Sequence, residues 1–271
     1  MTRPLRLLMC PPAEFTVRYE INPWMDASRP VDTARAVAQW EALRASYVAA
    51  GHAVEIIEPL SGMPDMVYAA NGATVAGGVA YAARFFVAER REEAPAYLAR
   101  LTELGLTPYD AARVNEGEGD LLVAGDMLLA GTGWRTERAA HAEASRALGL
   151  PVVTLELVDA RFYHLDTALT VLRGTTGEAG DVDVAYFPGA FSAASQEALQ
   201  RLFPDALLAT ETDAATFALN ALSDGERVWL GAGSPSWEAR LRERGYTPVP
   251  VDVSEILRGG GSVKCCTLVL R

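Results

Sequence analysis

The chain has 271 residues, 50% hydrophobic and 22% charged, with 35 acidic against 24 basic side chains and a net charge of −11. That composition belongs to a soluble globular protein with enough chain for a substantial core, and its acidity argues against a nucleic-acid or anionic-membrane partner. Three cysteines, one of them left over from any pair, fit a reducing cytoplasm with no disulfide framework, and no apolar stretch approaches the roughly 20 residues of a membrane span.

In chain order, the short apolar run 5–9 reads as a first strand rather than a leader peptide, and Pro11-Pro12 ends it. Segment 13–30 has little periodicity but carries Tyr19-Glu20-Ile21-Asn22-Pro23-Trp24-Met25-Asp26, an aromatic and polar loop suited to a site wall. Residues 33–50 form a predicted amphipathic helix with Val37, Trp40, Leu43 and Tyr47 on one face and Gly51 as its stop. A strand is expected over 54–57, and further helices over 139–148, 193–203 and 237–244. The Gly- and Thr-rich insert 173–183 is the softest stretch. His52 and His141 read as solvated surface residues, and Cys10 as a buried filler.

A repeat emerges when the polar residues that precede apolar strands are aligned. Asn71, Asp120, Asp166, Asn220 and Cys265 mark five such places, at intervals of 49, 46, 54 and 45 residues. A period of about 40–50 residues implies a radial or stacked architecture, here five αβ units whose strand starts converge on one axis. The polar markers would then meet in one place.

The last marker is the richest. Gly259-Gly260-Gly261 leads through Ser262-Val263-Lys264 into Cys265-Cys266 and an apolar strand. A nucleophilic thiolate needs a rigid mount, an open approach and nearby positive charge, which the adjacent Lys264 is expected to supply. Cys266, alternate to Cys265, should face away as a filler. The third unit brings His164 and Asp166, which as strand positions i and i+2 would face one side together. The second unit brings Glu116 and Asp120, and the first Asp65 and Asn71. A cysteine and a histidine distant in sequence suit a thiol nucleophile and its acid/base partner. Several carboxylates converging on that thiol imply a cationic substrate, and a guanidinium, with its planar fan of N–H donors, matches them. The histidine and cysteine spacings lack any C-x-x-C or H-x-x-x-H pattern, so no metal is expected, and the glycines lead into a strand rather than a phosphate-binding helix.

Further motifs carry a family likeness. Leu8-Met9-Cys10-Pro11-Pro12, Ile21-Asn22-Pro23-Trp24-Met25, Arg161-Phe162-Tyr163-His164-Leu165-Asp166-Thr167, Tyr186-Phe187-Pro188-Gly189-Ala190-Phe191 and Lys264-Cys265 resemble the guanidino-group-modifying superfamily, the penteins. Within it they look like the bacterial arginine dihydrolases, relatives of the arginine deiminases, dimethylarginine dimethylaminohydrolases and amidinotransferases. The likeness covers nearly the whole chain. It implies a single 1–271 catalytic domain, α/β in class, folded as a five-bladed pseudo-fivefold α/β propeller of ββαβ-type units. It implies Cys265 as nucleophile, two residues before Thr267, His164 as acid/base, and Glu116 as the acid that pairs with it. The acidic loop 116–120 is one residue longer than the family's E-G-G-D, so Glu118 competes with Glu116 for that part. Substrate contacts implied by the likeness are Asn22, Asp65, Tyr68, Asn71, Arg90, Asp120, Arg135 and Asp166, with the arginines directed at a substrate carboxylate or the entrance. No cofactor is implied. The partner is a small-molecule guanidino compound, arginine or a methylated arginine, and a homo-oligomer is compatible with the reading. Deiminases and dimethylarginine hydrolases carry an acid where this chain has Asn71, a departure shared with the dihydrolases.

Overall fold

The structure is a computed structural model that describes residues 4–175, 177 and 180–271. The first strand, β1 (Arg6–Met9), leads through the loop that carries Asn22 to helix α1 (Thr33–Ala49) and strand β2 (Ala53–Ile56). Asp32 caps α1 by accepting from the Arg35 N–H at 3.0 Å, and Gly51, at φ +91°, takes the left-handed conformation that ends it. The helix buries Ala36, Trp40, Leu43 and Tyr47, so its inward face includes Ala36 where Val37 was expected.

Four ββαβ units follow. The first holds β3 (Ala73–Ala76), β4 (Val79–Ala82), α2 (Glu93–Glu103) and β5 (Thr107–Tyr109). The second holds β6 (Leu121–Ala124), β7 (Met127–Thr132), α3 (Arg138–Leu148) and β8 (Val152–Glu156). The third holds β9 (Leu169–Arg173), β10 (Asp183–Tyr186), α4 (Ala193–Leu202) and β11 (Leu207–Leu208). After the short helix α5 (Glu211–Ala215), the fourth holds β12 (Leu222–Ser223), β13 (Arg227–Gly231), α6 (Pro235–Glu243) and β14 (Thr247–Val251). In each unit the first strand pairs antiparallel with the second, which pairs parallel with the third. The β3–β4 hairpin turns on Gly77-Gly78 alone, with φ +56° and +78°, the pair of positive φ values that a two-residue turn matched to strand twist requires.

The fifth sheet joins the two ends of the chain: β15 (Leu268–Leu270) runs antiparallel to β1, which runs parallel to β2. Five three-stranded sheets of one pattern result. Their first strands are neighbours in ring order, β15 beside β3, β3 beside β6, β6 beside β9 and β9 beside β12. Hydroxyls stitch neighbouring units: Thr74 donates to the Leu121 carbonyl at 3.2 Å and Ser223 to the Leu172 carbonyl at 2.6 Å. Apolar packing around the large buried side chains Trp40, Trp229 and Trp237 fills the space between sheets and helices. This is the mixed α/β, five-unit architecture expected from the marker spacing.

Some local expectations need correction. The residues ahead of the inner strands are 3-10 turns, Ala69–Gly72, Gly117–Gly119 and Leu165–Thr167, so His164 and Asp166 are not strand neighbours. Neither His52 nor His141 is solvated. His52 is buried, accepts from the Leu5 N–H at 3.1 Å through Nδ1 and sets Nε2 3.3 Å from Asp224 Oδ2. His141 is buried between the Gly131 carbonyl and the Thr154 hydroxyl, at 3.0 and 2.9 Å. Polarity is visible in a sequence, whereas the partner that permits burial lies elsewhere in the chain. The 173–183 insert includes residues 176, 178 and 179, and the chain start includes residues 1–3, all outside the described residues. Among the described residues no helix is long and apolar enough to cross a membrane.

The His52–Asp224 pairing joins the β1 end of the fifth sheet to the fourth. Burial opposes ionisation of Asp224, but His52 and the N–H groups of Arg227 and Glu226 outweigh it and hold the carboxyl at about 2. A depressed carboxyl contributes stability above its unfolded value near 4 and loses it as pH falls toward 2. Asp224→Asn should therefore melt at lower temperature than the parent at pH 7. The gap should narrow as pH approaches 2 in thermal scans, and a gap independent of pH would contradict this assignment.

Candidate active site

The turns before the inner strands bring polar side chains from four of the five units around a small space. Ile21, Asn22, Met25, Asp65, Tyr68, Asn71, Arg90, Arg135, Tyr163, His164, Gly259 and Cys265 line it, and its volume of about 10 Å3 is room for one water molecule. A larger depression of about 510 Å3, lined in part by Arg84, Phe85, Arg91 and Asp110, holds none of these site-lining groups.

The second unit contributes Glu116, which is fully buried. Its Oε2 lies 2.6 Å from His164 Nε2, Arg135 donates to it at 3.2 Å, and the Phe86 N–H donates to Oε1 at 3.2 Å. Burial opposes its ionisation, but the His164 hydrogen bond and the charges of His164, Arg135 and Arg90 prevail and hold the carboxyl at about 2. Glu118 points elsewhere: it accepts from Lys264 Nζ at 2.7 Å, from the Val269 N–H at 3.2 Å and from Arg271. The choice left open by the longer acidic loop thus falls geometrically on Glu116. Asp120 lies close by but is fully engaged with protein, Oδ1 with the Leu165 N–H at 3.0 Å and Oδ2 with the Thr136 hydroxyl at 2.7 Å.

The first unit supplies Asn71, Asp65 and Arg90. Arg90 is buried, donates to both oxygens of Glu93 at 3.0 and 2.8 Å, to the Asp65 carbonyl at 3.1 Å and to Asn71 Oδ1 at 2.8 Å, and lies over the Phe85 ring. A guanidinium has no acceptor, so the Asn71 oxygen must face it and the amide nitrogen must face the other way. That nitrogen sits 3.4 Å from the Glu116 carbonyl. Asp65 accepts from Tyr19 at 2.7 Å through Oδ2, while its Oδ1 is buried without a partner. The Tyr68 hydroxyl donates to the Ile256 carbonyl at 2.7 Å, and its ring packs beneath the C-terminal glycines.

From the third unit, His164 uses Nε2 on Glu116 and leaves Nδ1 buried and unpartnered. Asp166 sets Oδ2 3.3 Å from Cys265 Sγ and leaves Oδ1 unpartnered. Burial, against the charges of His164 and Lys264, pushes the Asp166 carboxyl up to about 6. The same burial, with the Asp166 charge beside it, pushes the Cys265 thiol well above the ordinary thiol range. Lys264 does not supply the expected positive charge, because its ammonium pairs with Glu118 and the Thr267 carbonyl. Asn220 donates from Nδ2 to Cys265 Sγ at 3.1 Å. Cys266 is buried beside Cys265 in a turn rather than alternating along a strand.

The glycines serve distinct purposes. Gly260, at φ +89°, needs the left-handed region, whereas a Cβ at Gly259 or Gly261 would strike the Tyr68 side chain. Asn22 locks the loop from above by donating to the Gly259 carbonyl at 3.0 Å, and Arg135 donates to the Ile21 carbonyl. Sequence reasoning did not assign roles to Glu93, Tyr19, Thr136 or Asn220. Glu93 stands three residues after Arg90 on the start of a helix, a readable ion-pair spacing, and Asn220 was visible only as a repeat marker. Tyr19 was visible only as part of the aromatic and polar loop 19–26, and Thr136 had no local signal.

With two buried carboxylate oxygens unpartnered and a raised thiol, the arrangement suits a cation held against a sulfur. A cation bound there would lower the thiol pKa in place. Asp166→Asn removes a negative charge and an S–H acceptor, so it should lower the thiol pKa of the free enzyme. Iodoacetamide should then alkylate Cys265 on the order of tenfold faster at pH 7.5, one unit of pKa being one decade of thiolate. An unchanged rate would refute the electrostatic account. Gly119 carries the second test: a Cβ there would strike Asn71 Nδ2 and lie 3.0 Å from His164 Nδ1. Gly119→Ala should cut turnover by roughly a hundredfold with only a small change in melting temperature.

The chain matches no family model. It is 53% identical over 266 residues to N(G),N(G)-dimethylarginine dimethylaminohydrolase of Mycobacterium tuberculosis, covering 98% of this chain and 86% of that protein. It is 35% identical to the bifunctional arginine dihydrolase/ornithine cyclodeaminase ArgZ of Synechocystis, over 99% of this chain but only 38% of that longer protein. The substrate-bound N-terminal domain of ArgZ superposes with a TM-score of 0.91 at 34% identity, covering 98% of both chains. A dimethylarginine dimethylaminohydrolase adduct superposes at 0.77 with 20% identity over 100% of both chains, a likeness of fold alone. Taken with five sheets of one pattern and a cysteine, histidine and acids at their common centre, these relationships establish that the chain belongs to the guanidino-group-modifying (pentein) superfamily of cysteine-dependent amidine hydrolases.

Proposed function

We propose that residues 1–271 form one catalytic unit that hydrolyses the guanidino C–N bonds of L-arginine twice, giving ornithine, carbon dioxide and two ammonia. Cys265 is the nucleophile, His164 the acid/base and Glu116 the acid that orients and charges His164. Asp65 and Asp166, each with an oxygen free to accept, receive the guanidinium N–H groups. Arg135, Asn22 and Tyr68 shape the walls, and Arg90 fixes Asn71.

Binding of the cation beside Sγ favours the thiolate. The Sγ–Cζ bond forms, and the tetrahedral adduct collapses with loss of ammonia that takes its proton from His164. Neutral His164 then deprotonates a water, which adds to the thiouronium carbon. Collapse breaks the C–S bond, returns the thiol and leaves citrulline. Repeating the cycle on the ureido group with a second water releases the second ammonia and a carbamate, which gives ornithine and carbon dioxide.

The reading of two rounds rests on the orientation of Asn71. A ureido oxygen is repelled by a facing carboxylate but can accept from an amide nitrogen, and Arg90, by holding the Asn71 oxygen, leaves the nitrogen, 3.4 Å from the Glu116 carbonyl, as the end that can donate. A second reading, hydrolysis of dimethylarginine to citrulline and dimethylamine by the same thiol chemistry, is favoured by the 53% identity to a protein of that name. Mass spectrometry after incubation with arginine, citrulline and asymmetric dimethylarginine separates the two. Ornithine from both arginine and citrulline is expected, and turnover of dimethylarginine alone overturns the proposal. Asn71→Asp should accumulate citrulline from arginine; ornithine formed at the parental rate would show that Asn71 does not decide the second round.

A further inference from the structure

We propose that Asn220 is a catalytic residue that both mounts the nucleophile loop and donates a hydrogen bond to the Cys265 thiolate. The inference rests on the reading of Cys265 as nucleophile and assigns a function to the fourth unit, which otherwise places nothing against the reacting sulfur.

Asn220 is fully buried, and its side-chain amide is used on both ends. Oδ1 accepts from the Ser262 N–H at 3.0 Å and from the Cys265 N–H at 3.1 Å. Nδ2 donates to the Asp166 carbonyl at 3.1 Å and to Cys265 Sγ at 3.1 Å. Because both backbone groups are donors, the oxygen must face them, and the nitrogen is left no orientation except toward the sulfur. Sγ therefore lies between one donor, Asn220, and one acceptor, Asp166 Oδ2 at 3.3 Å. As a thiol it gives its proton to Asp166; as a thiolate it keeps the Asn220 hydrogen bond, which strengthens once the acceptor is charged.

No cation stands ready to do this instead. Asp166 and Cys266 raise the thiol, and Tyr68 and Tyr163 also couple to it; none of these four is positive. Lys264 is paired with Glu118, and the cavity arginines Arg90 and Arg135 are paired with Glu93 and Glu116. His164 directs Nε2 to Glu116. The turn that presents Asn220 is itself unusual. Phe217, whose carbonyl accepts from the Asn220 N–H at 3.0 Å, has φ +59°, a left-handed conformation that no other non-glycine among the described residues adopts. Its ring meets Trp24 edge-on with centroids 4.5 Å apart, and Trp24 is anchored by donation to the Arg161 carbonyl. A strained backbone held by packing, three residues before a residue that touches the nucleophile, is the pattern of a functional mount.

The test is the pH dependence of Cys265 alkylation by iodoacetamide in the free enzyme, read by mass spectrometry for the parent, Asn220→Asp and Asn220→Ser. Asp keeps the acceptor for the two N–H groups, loses the donor and adds a negative charge beside the sulfur; Ser is too short to hold both ends and adds no charge, so its midpoint isolates the lost donor. Both variants should raise the midpoint by about one unit or more, tenfold less thiolate at a given pH, and lower kcat far more than they change KM. A midpoint unmoved in folded variants, with loss confined to melting temperature, makes Asn220 structural and overturns the proposal. If neither variant folds, the parent enzyme labelled with 15N-asparagine decides it. An Asn220 side-chain amide proton must move downfield as the thiol titrates, a movement absent in Cys265→Ala, and its failure to move overturns the proposal. Alkylation and amide shifts do not depend on turnover. Full activity of Cys265→Ser would instead refute the nucleophile reading while leaving these measurements interpretable.

Discussion

A carboxylate taken completely out of water survives as an anion only where the protein returns hydrogen bonds and positive charge to it, and Glu116 sets that requirement for the whole centre. Its carboxylate partners come from three units: the Phe86 N–H from the first, Arg135 from the second, His164 from the third. Phe86, Arg135 and His164 are far apart in sequence, so the carboxylate is satisfied only when the first three units pack together, and Cys265 joins them only when the ring is closed. Closure in turn depends on the β1–β15 pairing, which brings the two ends of the chain into one sheet and sets Cys265 opposite the acids.

From that anchor the electrostatics of the centre follow. Arg90 and Arg135 are each paired with a glutamate, and their charges do not outweigh the burial of Asp65. Asp65 and Asp166 have raised pKa values, chiefly through burial, and each keeps one oxygen without a partner. A site with that imbalance is incomplete in physical terms and is completed by a cation with several donors. The same shortage of positive charge favours the protonated Cys265 thiol. Asn22 and Arg135 hold the Ile21–Met25 segment, part of which lines the small cavity.

Much of this was legible in the chain itself. The spacing of Asn71, Asp120, Asp166, Asn220 and Cys265 reflects units of nearly constant length, because each must supply two hairpin strands, a helix and a return strand. Reading His164 and Asp166 as strand neighbours was wrong in detail, since a 3-10 turn occupies that position, yet both side chains still reach the centre. Lys264 misled for a different reason. Proximity in sequence to Cys265 says nothing of direction, and its ammonium is drawn to Glu118. His52 and His141 were misjudged because their partners, Asp224 and Thr154, come from other strands and turns.

Residue identity and period alone determined that the chain is a five-unit α/β protein, that a cysteine, a histidine and a surplus of acids share one centre, and that the centre suits a cation. These are consequences of composition, spacing and the chemistry of side chains, which a linear string carries. Tertiary structure decided which of Glu116 and Glu118 meets His164, which way the Asn71 amide faces, that Asp120 is held by Thr136 and Leu165, and that Asn220 touches the sulfur. Each of these is a matter of a few ångströms and of orientation between groups 16 to 146 residues apart. Hydrogen bonding is short-ranged and directional, and only the folded chain brings its partners to that distance.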